Sequence, residues 1–181
     1  MRENIHKTAS ALLVSLFHNP STSRVVVAPE CGGNHRIQLS ASPAKNRRTI
    51  YCWPDIVIAH GDEVHVILEL EQTGIVSPGR IGGKLLAASL CDNAHSEDLG
   101  HDALRICRDA TFIQVVNTRS LRPTTAKLRQ YANCEAGIRE KRLPLGCIAR
   151  YFLIPVLADE TSPFDGRKYN LLLEAVHECL S

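Results

Sequence analysis

Three acidic residues stand close together in an otherwise apolar part of the chain. Asp55 follows Pro54, and after thirteen intervening residues come Glu69 and Glu71 with Leu70 between them. The even positions of the segment 64–71 are apolar, so an extended strand places both glutamates on its opposite face. Their Cβ atoms would lie about 6.6 Å apart, which is two strand rises. Carboxylates at the end of an apolar strand are unfavourable unless a cation neutralises them.

The segments 49–59 and 64–71 flank a turn at residues 60–62 and predict a β-hairpin. Asp55 can lie opposite Glu69 only if the two residue numbers of each cross-strand pair add up to an even number, as 55 and 69 do. A three-residue turn or a bulge gives that register, whereas a plain two-residue turn puts Asp55 on the wrong face. The three carboxylates therefore form a cluster only under this condition.

Such a cluster suits Mg²⁺, with Mn²⁺ as a substitute, because both ions take hard oxygen ligands. Hydrolysis of a phosphodiester needs an activated water and a cation that offsets the charge on the phosphate, and metal ions held by carboxylates supply both. The alternative is that Glu69 and Glu71 are solvated at the end of an edge strand and that Asp55 caps a turn.

These residues, in a hairpin followed by a helix, resemble the core of the PD-(D/E)XK, or restriction-endonuclease-like, nucleases. The resemblance covers about residues 1–120 and implies an α/β fold whose central mixed sheet is flanked by helices. It also implies that Asp55 and Glu69 bind the metal together with the carbonyl group of Leu70. Glu71 stands where the family usually has lysine. Some restriction enzymes have an acidic residue there as an additional metal ligand, and Glu71 is a candidate for that role.

The helix expected at about residues 80–91 offers a cation that could replace the missing lysine. Arg80 and Lys84 are four residues apart and therefore share a helix flank. Some family members supply their lysine from this helix, so Lys84 is the candidate; the alternative is a surface lysine. Gly82 and Gly83 are unfavourable inside a helix and suggest a close approach of the backbone to the sheet or to a phosphate.

Basic residues are concentrated between Arg119 and Arg150, where eight of them face only Glu135 and Glu140. That segment carries a net charge of +6, against +2 for the whole chain, which suits one anion-binding face. Solvated helix surface is the alternative. If the protein binds DNA, we expect the phosphate contacts to come from Arg80, Arg119, Arg122, Lys127 and Arg129.

Other ligand types are scattered through the chain. Glu3 and Glu30 are further acids that could join the metal site. Cys91, His95, His101 and Cys107 have the side chains of a zinc site, but their spacing matches no finger pattern and no Cys-x-x-Cys occurs. We therefore expect ordinary thiols and no structural zinc from this set.

Length and composition favour one intracellular domain. The chain has 181 residues, of which 44% are hydrophobic and 22% charged, as in ordinary globular proteins. No run approaches the roughly 18 apolar residues of a membrane helix, and the apolar N-terminal segment has helical spacing without a cleavage site. The odd number of cysteines, seven, indicates reduced thiols and a cytoplasmic protein.

Periodicity predicts the element order αβββαβαβα, which corresponds to a mixed sheet covered by helices. The expected ranges are about 3–17, 24–28, 49–59, 64–71, 80–91, 111–118, 124–142, 148–157 and 167–180. The sequence thus predicts a Mg²⁺-dependent DNA endonuclease, in which a homodimer would cut both strands. The alternative is a non-catalytic DNA-binding or interaction module that keeps the fold.

Overall fold

The structure is a computed structural model that describes residues 4–44, 46–72, 76–100, 102–118, 126–140, 145–156 and 166–180. Within these ranges there are four α-helices and eight strands. The helices are α1 (Ile5–Phe17), α2 (Pro78–Ser89), α3 (Ala126–Glu140) and α4 (Gly166–Leu180). The strands are β1 (Ser23–Val27), β2 (Gln38–Ser40), β3 (Ile50–Cys52), β4 (Ile56–His60), β5 (Glu63–Glu71), β6 (Asn93–His95), β7 (Leu104–Asn117) and β8 (Ile148–Val156).

The eight strands form one mixed sheet. Its order is β1-β4-β5-β7-β6-β2-β3, and β8 also pairs with β7. β1, β4 and β5 pair antiparallel, while β5, β7 and β8 run parallel. The long β7 pairs with β6 near its N-terminal end and with β8 further along. The predicted α/β fold with a mixed sheet flanked by helices is confirmed.

The segment 49–59 differs from the prediction, because it forms two strands instead of one. β3 and β4 are separated at residues 53–55, and β3 pairs with β2 in another part of the sheet. Pro54 has no N–H group to continue a ladder, which is a reason for the chain to leave its strand there. The short strands β2 and β6 were not predicted.

Two apolar cores cover the two faces of the sheet. One contains Ile81 and Leu85 of α2 and Tyr131 of α3. The other contains residues of α1 and α4, among them Leu13 and Leu172. Within the described ranges, no helix combines the length and the apolarity that crossing a membrane requires.

The register of the β4–β5 hairpin is set by a bulge at His65. The turn at Gly61 and Asp62 has two residues, since His60 pairs with Glu63. Val64 and Val66 nevertheless pair with two adjacent residues of β4, so His65 is an extra residue in β5. The even positions were expected to share one face, and this is wrong for Val64: it packs in the α2–α3 core, while Val66 packs in the α1–α4 core.

The same bulge satisfies the condition on which the carboxylate cluster depended. Beyond it, Ile56 pairs with Leu68 and Val57 with Ile67, so the paired numbers have an even sum. Continuing this register by one residue places Asp55 opposite Glu69. The prediction that a bulge could bring these two acids together is confirmed.

Candidate active site

Asp55 directly precedes β4, and its backbone bridges the neighbouring strand β5 and the residue that follows β1. Its N–H donates to the Leu68 carbonyl oxygen at 3.1 Å, and its own carbonyl oxygen accepts from the Ala28 N–H at 2.8 Å. The side-chain Oδ2 accepts a hydrogen bond from the Leu70 N–H at 2.7 Å. On the other side, His6 Nε2 of α1 lies 3.8 Å from Oδ1. Backbone and side chain together thus fix the direction of this carboxylate.

Glu69 and Glu71 are almost completely buried at the end of β5, with exposed fractions of 2% and 3%. Two cations of α2 neutralise them. Lys84 Nζ lies 2.5 Å from Glu69 Oε2 and 3.0 Å from Glu71 Oε1, the second contact without hydrogen-bond geometry. Arg80 Nη2 lies 3.1 Å from Glu71 Oε2. The two glutamates, the lysine and the arginine therefore form one ion-pair cluster.

Helix α2 is placed over the strand end by its own sequence. The Ser77 side chain caps its first turn by accepting from the Arg80 N–H, and Pro78 occupies the start of the helix. Ile81 and Leu85 are buried against the sheet, as their spacing predicted. Arg80 and Lys84, one turn apart, consequently both reach the glutamates.

Burial dominates the electrostatics of the site. It raises the pKa of Glu69 to about 7; Lys84 opposes the rise and the charge of Asp55 adds to it. Burial also raises the pKa of Asp55, although the Leu70 N–H and His6 act in the opposite direction. For Lys84, burial lowers the pKa, but the two glutamates outweigh it and the net pKa is raised. The buried acids thus favour a nearby cation.

Asp55, Glu69 and Lys84 line one cleft with a volume of about 390 Å³. Glu30, Arg36 and the half-exposed Trp53 line it as well. Glu71 is not one of the described residues that line this cleft. Its two carboxylate oxygens instead contact Arg80 and Lys84.

The cleft offers side chains of the type that a hard divalent cation takes, but no three of its described carboxylates bring ligand atoms within 4.8 Å of one another. Asp55, Glu69 and Glu30 provide carboxylate oxygens, the ligands that Mg²⁺ prefers. Lys84 holds Glu69 Oε2, whereas Glu69 Oε1 has the thiol of Cys52 as a weak partner at 3.7 Å. This second oxygen is the one that a metal ion could bind without displacing the lysine.

Several residues of the site were not predicted. Cys52 and Trp53 directly precede Pro54 and Asp55, so their place in the chain was a signal that could have identified them. His6 and Arg36 reach the site from distant segments, and no local pattern indicates this. Of the two further acids, Glu30 lines the cleft, while Glu3 lies outside the described residues.

The predicted phosphate-binding residues are only partly described. Arg119 and Arg122 lie outside the described residues. On α3, Arg129 is exposed and Lys127 is half-buried, with Nζ 5.5 Å from the centre of the Tyr131 ring. The Tyr131 hydroxyl accepts from the N–H of Val76 and donates to its carbonyl oxygen, both at 3.1 Å. α3 is thereby tied to the connection between β5 and α2, next to the site.

The prediction that the α2 glycines allow a close approach of the backbone to the sheet is wrong. A Cβ atom at Gly82 or Gly83 would meet no atom of the described residues within 4 Å. The described part of the chain therefore leaves space beside these two glycines. The other explanation, a phosphate near these glycines, stays a prediction.

The four candidate zinc ligands are not brought together in the part of the chain that is described. Cys91 Sγ donates to the Ala87 carbonyl oxygen at 3.3 Å, and His95 Nε2 lies 2.8 Å from Ser40 Oγ. His101 lies outside the described residues. Cys107 lies instead beside Glu63 and His65.

Comparison of the chain with protein-family models, with curated proteins and with solved structures finds no match in any of the three. Any assignment of function must therefore rest on the residues and the geometry of this chain.

Proposed function

We propose that this protein is a Mg²⁺-dependent DNA endonuclease of the PD-(D/E)XK class, similar to type II restriction enzymes. The observation that carries the proposal is the single cleft lined by Asp55, Glu69 and Lys84. It combines two acids able to bind a metal with a cation able to stabilise a phosphate.

The position of the site in the fold supports this proposal. Glu69 and Glu71 lie at the carboxyl end of β5, and β7 and β8 run parallel to β5. Ligands of open α/β sheets bind at the carboxyl ends of their strands. Apart from the additional strands β2, β3 and β6, the order α1, β1, β4, β5, α2 and β7 is also the order that the resemblance to this nuclease class implies.

In this proposal each residue has a distinct role. Asp55 and Glu69 bind the metal, together with the Leu70 carbonyl group that the resemblance implies. A bound Mg²⁺ would activate water and offset charge on the phosphate. Lys84 contacts the phosphate and stabilises the charge that develops there. Glu71, which contacts Arg80 and Lys84, positions the lysine. The alternative is that Glu71 binds the metal as a third ligand.

A second candidate is a non-catalytic DNA-binding or interaction module. It is favoured by one observation: Lys84 and Arg80 already neutralise both glutamates without a metal. A charge cluster of this kind could be purely structural, as buried ion pairs often are.

Cleavage of supercoiled plasmid DNA in the presence of Mg²⁺ distinguishes the two candidates. Asp55→Asn and Glu69→Gln should each abolish cleavage, because the remaining acids cannot fix an octahedral ion. Asp62→Asn is a matched control, since Asp62 is exposed at the turn of the same hairpin. DNA binding without cleavage by the wild-type protein would establish the non-catalytic module. Full cleavage by Asp55→Asn or Glu69→Gln would remove this site from consideration.

We also propose a cytoplasmic location and a homodimer. All seven cysteines are free, and burial raises the pKa of Cys31, Cys52 and Cys91, so these thiols are unreactive. Such thiols are typical of reducing compartments. Two sites related by symmetry would allow both strands of a duplex to be cut. Sedimentation equilibrium with and without DNA tests the dimer.

A further inference from the structure

Three side chains of different chemistry meet at the opposite end of β5 from the candidate active site. They are Glu63 and His65 of β5 and Cys107 of β7, all half-buried. One ligand atom from each, a carboxylate oxygen, an imidazole nitrogen and the thiol sulfur, lies within 4.8 Å of the other two. A single ion could contact all three after small side-chain adjustments.

Two irregularities of the sheet produce this arrangement. His65 is the extra residue of the bulge that β5 makes against β4. On the other side, Val64 pairs with Ile106 and Val66 with Thr111. His65 therefore faces four residues of β7, from Cys107 to Ala110. Bulges redirect side chains and are common beside functional sites, and here two of them coincide at one histidine.

The residue types indicate which ion would bind. A thiolate, an imidazole and a carboxylate are the ligands that zinc takes in proteins, whereas Mg²⁺ requires oxygen atoms. His60 is also near, because it pairs with Glu63 and its ring centre lies 6.0 Å from that of His65. We propose that Glu63, His65 and Cys107 bind a zinc ion that links β5 to the bulge of β7.

This site is separate from the candidate active site. His65 and Glu69 are four residues apart on one strand, which corresponds to about 13 Å. Zinc binding can therefore be tested without reference to nuclease activity, and the two proposals can fail independently.

The experiment uses the whole chain, freed of metal by a chelator and titrated with Zn²⁺ and with Co²⁺. We expect one ion per chain, and for Co²⁺ a thiolate-to-metal charge-transfer band. Cys107→Ser and His65→Ala should each weaken zinc binding by at least about 10²-fold, the upper end of the loss caused by removing even a supporting residue of a metal site. Cys107→Ser should also abolish the charge-transfer band.

Two matched control variants should keep the zinc affinity of the wild-type protein. Cys134→Ser removes another half-buried cysteine, on α3, and Asp55→Asn alters only the candidate active site. Circular dichroism checks that each variant folds. If His65→Ala does not fold, Glu63→Gln, which retains the side-chain size, takes its place with the same expected loss. Absence of the charge-transfer band in the wild-type protein, or undiminished zinc affinity in Cys107→Ser, would overturn the proposal.

Discussion

At the scale of the residue, Glu69 is a buried carboxyl group whose protonation is linked to folding. Burial raises its pKa from 4.5 to about 7, so the folded protein binds this proton more tightly than the unfolded chain does. The contribution of Glu69 to the free energy of unfolding therefore falls as the pH rises from about 4.5 to about 7 and is constant above that range. At about 1.4 kcal/mol per pKa unit, the decrease is on the order of 3 kcal/mol.

Glu69→Gln should remove this decrease in the metal-free protein, because the amide does not titrate. Urea denaturation at pH 5, 6 and 7 measures it as the change in the free energy of unfolding. Asp62→Asn should behave like the wild-type protein. An equal pH dependence in Glu69→Gln and the wild type would show that another group is responsible.

Lys84 is the second residue whose role can be isolated. A cation near the reacting phosphate stabilises the transition state more than the ground state, so Lys84→Ala should slow cleavage by about 10²-fold or more while metal binding persists. Single-turnover cleavage at saturating Mg²⁺ measures this rate. Lys7→Ala, at an exposed position of α1, is the matched control and should keep the wild-type rate. A wild-type cleavage rate in Lys84→Ala would mean that the acidic residues and the metal suffice for cleavage without this lysine.

At the scale of the element, α2 carries two glycines, Gly82 and Gly83, that no other described residue approaches closely. Gly83→Ala should stabilise the protein by about 0.5–1 kcal/mol, because alanine favours the helix and its Cβ would meet no described atom within 4 Å. If a phosphate approaches the helix there, the same substitution should weaken DNA binding.

Gly137→Ala is the matched control for this prediction. Gly137 lies in α3, and its Cβ would also meet no described atom within 4 Å. It should give a similar gain in thermal stability. Unchanged DNA affinity in Gly83→Ala would exclude a phosphate contact at that glycine.

At the scale of the whole molecule, α3 with Lys127 and Arg129 lies near the ion-pair cluster. α3 begins after the carboxyl end of β7, which is parallel to β5, and Tyr131 ties it to Val76. A DNA backbone bound along α3 would therefore pass near Glu69 and Lys84.

Neutralising Lys127 and Arg129 together should flatten the dependence of DNA affinity on salt. Each phosphate contact contributes about 0.9 to the slope of log affinity against log salt concentration, so the slope should decrease by about 2. The matched control neutralises Arg105 and Arg108, which are exposed in the N-terminal part of β7. Equal slopes for the two double variants would place the DNA-binding face elsewhere.

Much of this protein could be predicted from its sequence. Periodicity reports which face of an element is buried, and this is a local property. It predicted α1, the hairpin strands and the buried face of α2 with Ile81 and Leu85. The strand pattern singled out Glu69 as a charged exception, the hairpin added Asp55, and the resemblance to the PD-(D/E)XK nucleases made Lys84 a candidate for the same site.

Only the tertiary structure decided how these residues meet. The sequence allowed two registers of the hairpin, and the bulge at His65 selected the one that brings Asp55 opposite Glu69. It also brought His65 toward Cys107 and moved Val64 to the other core. The physical reason is that strand register and bulges depend on the packing of neighbouring strands on both sides. Such interactions join segments distant in sequence and leave no local pattern.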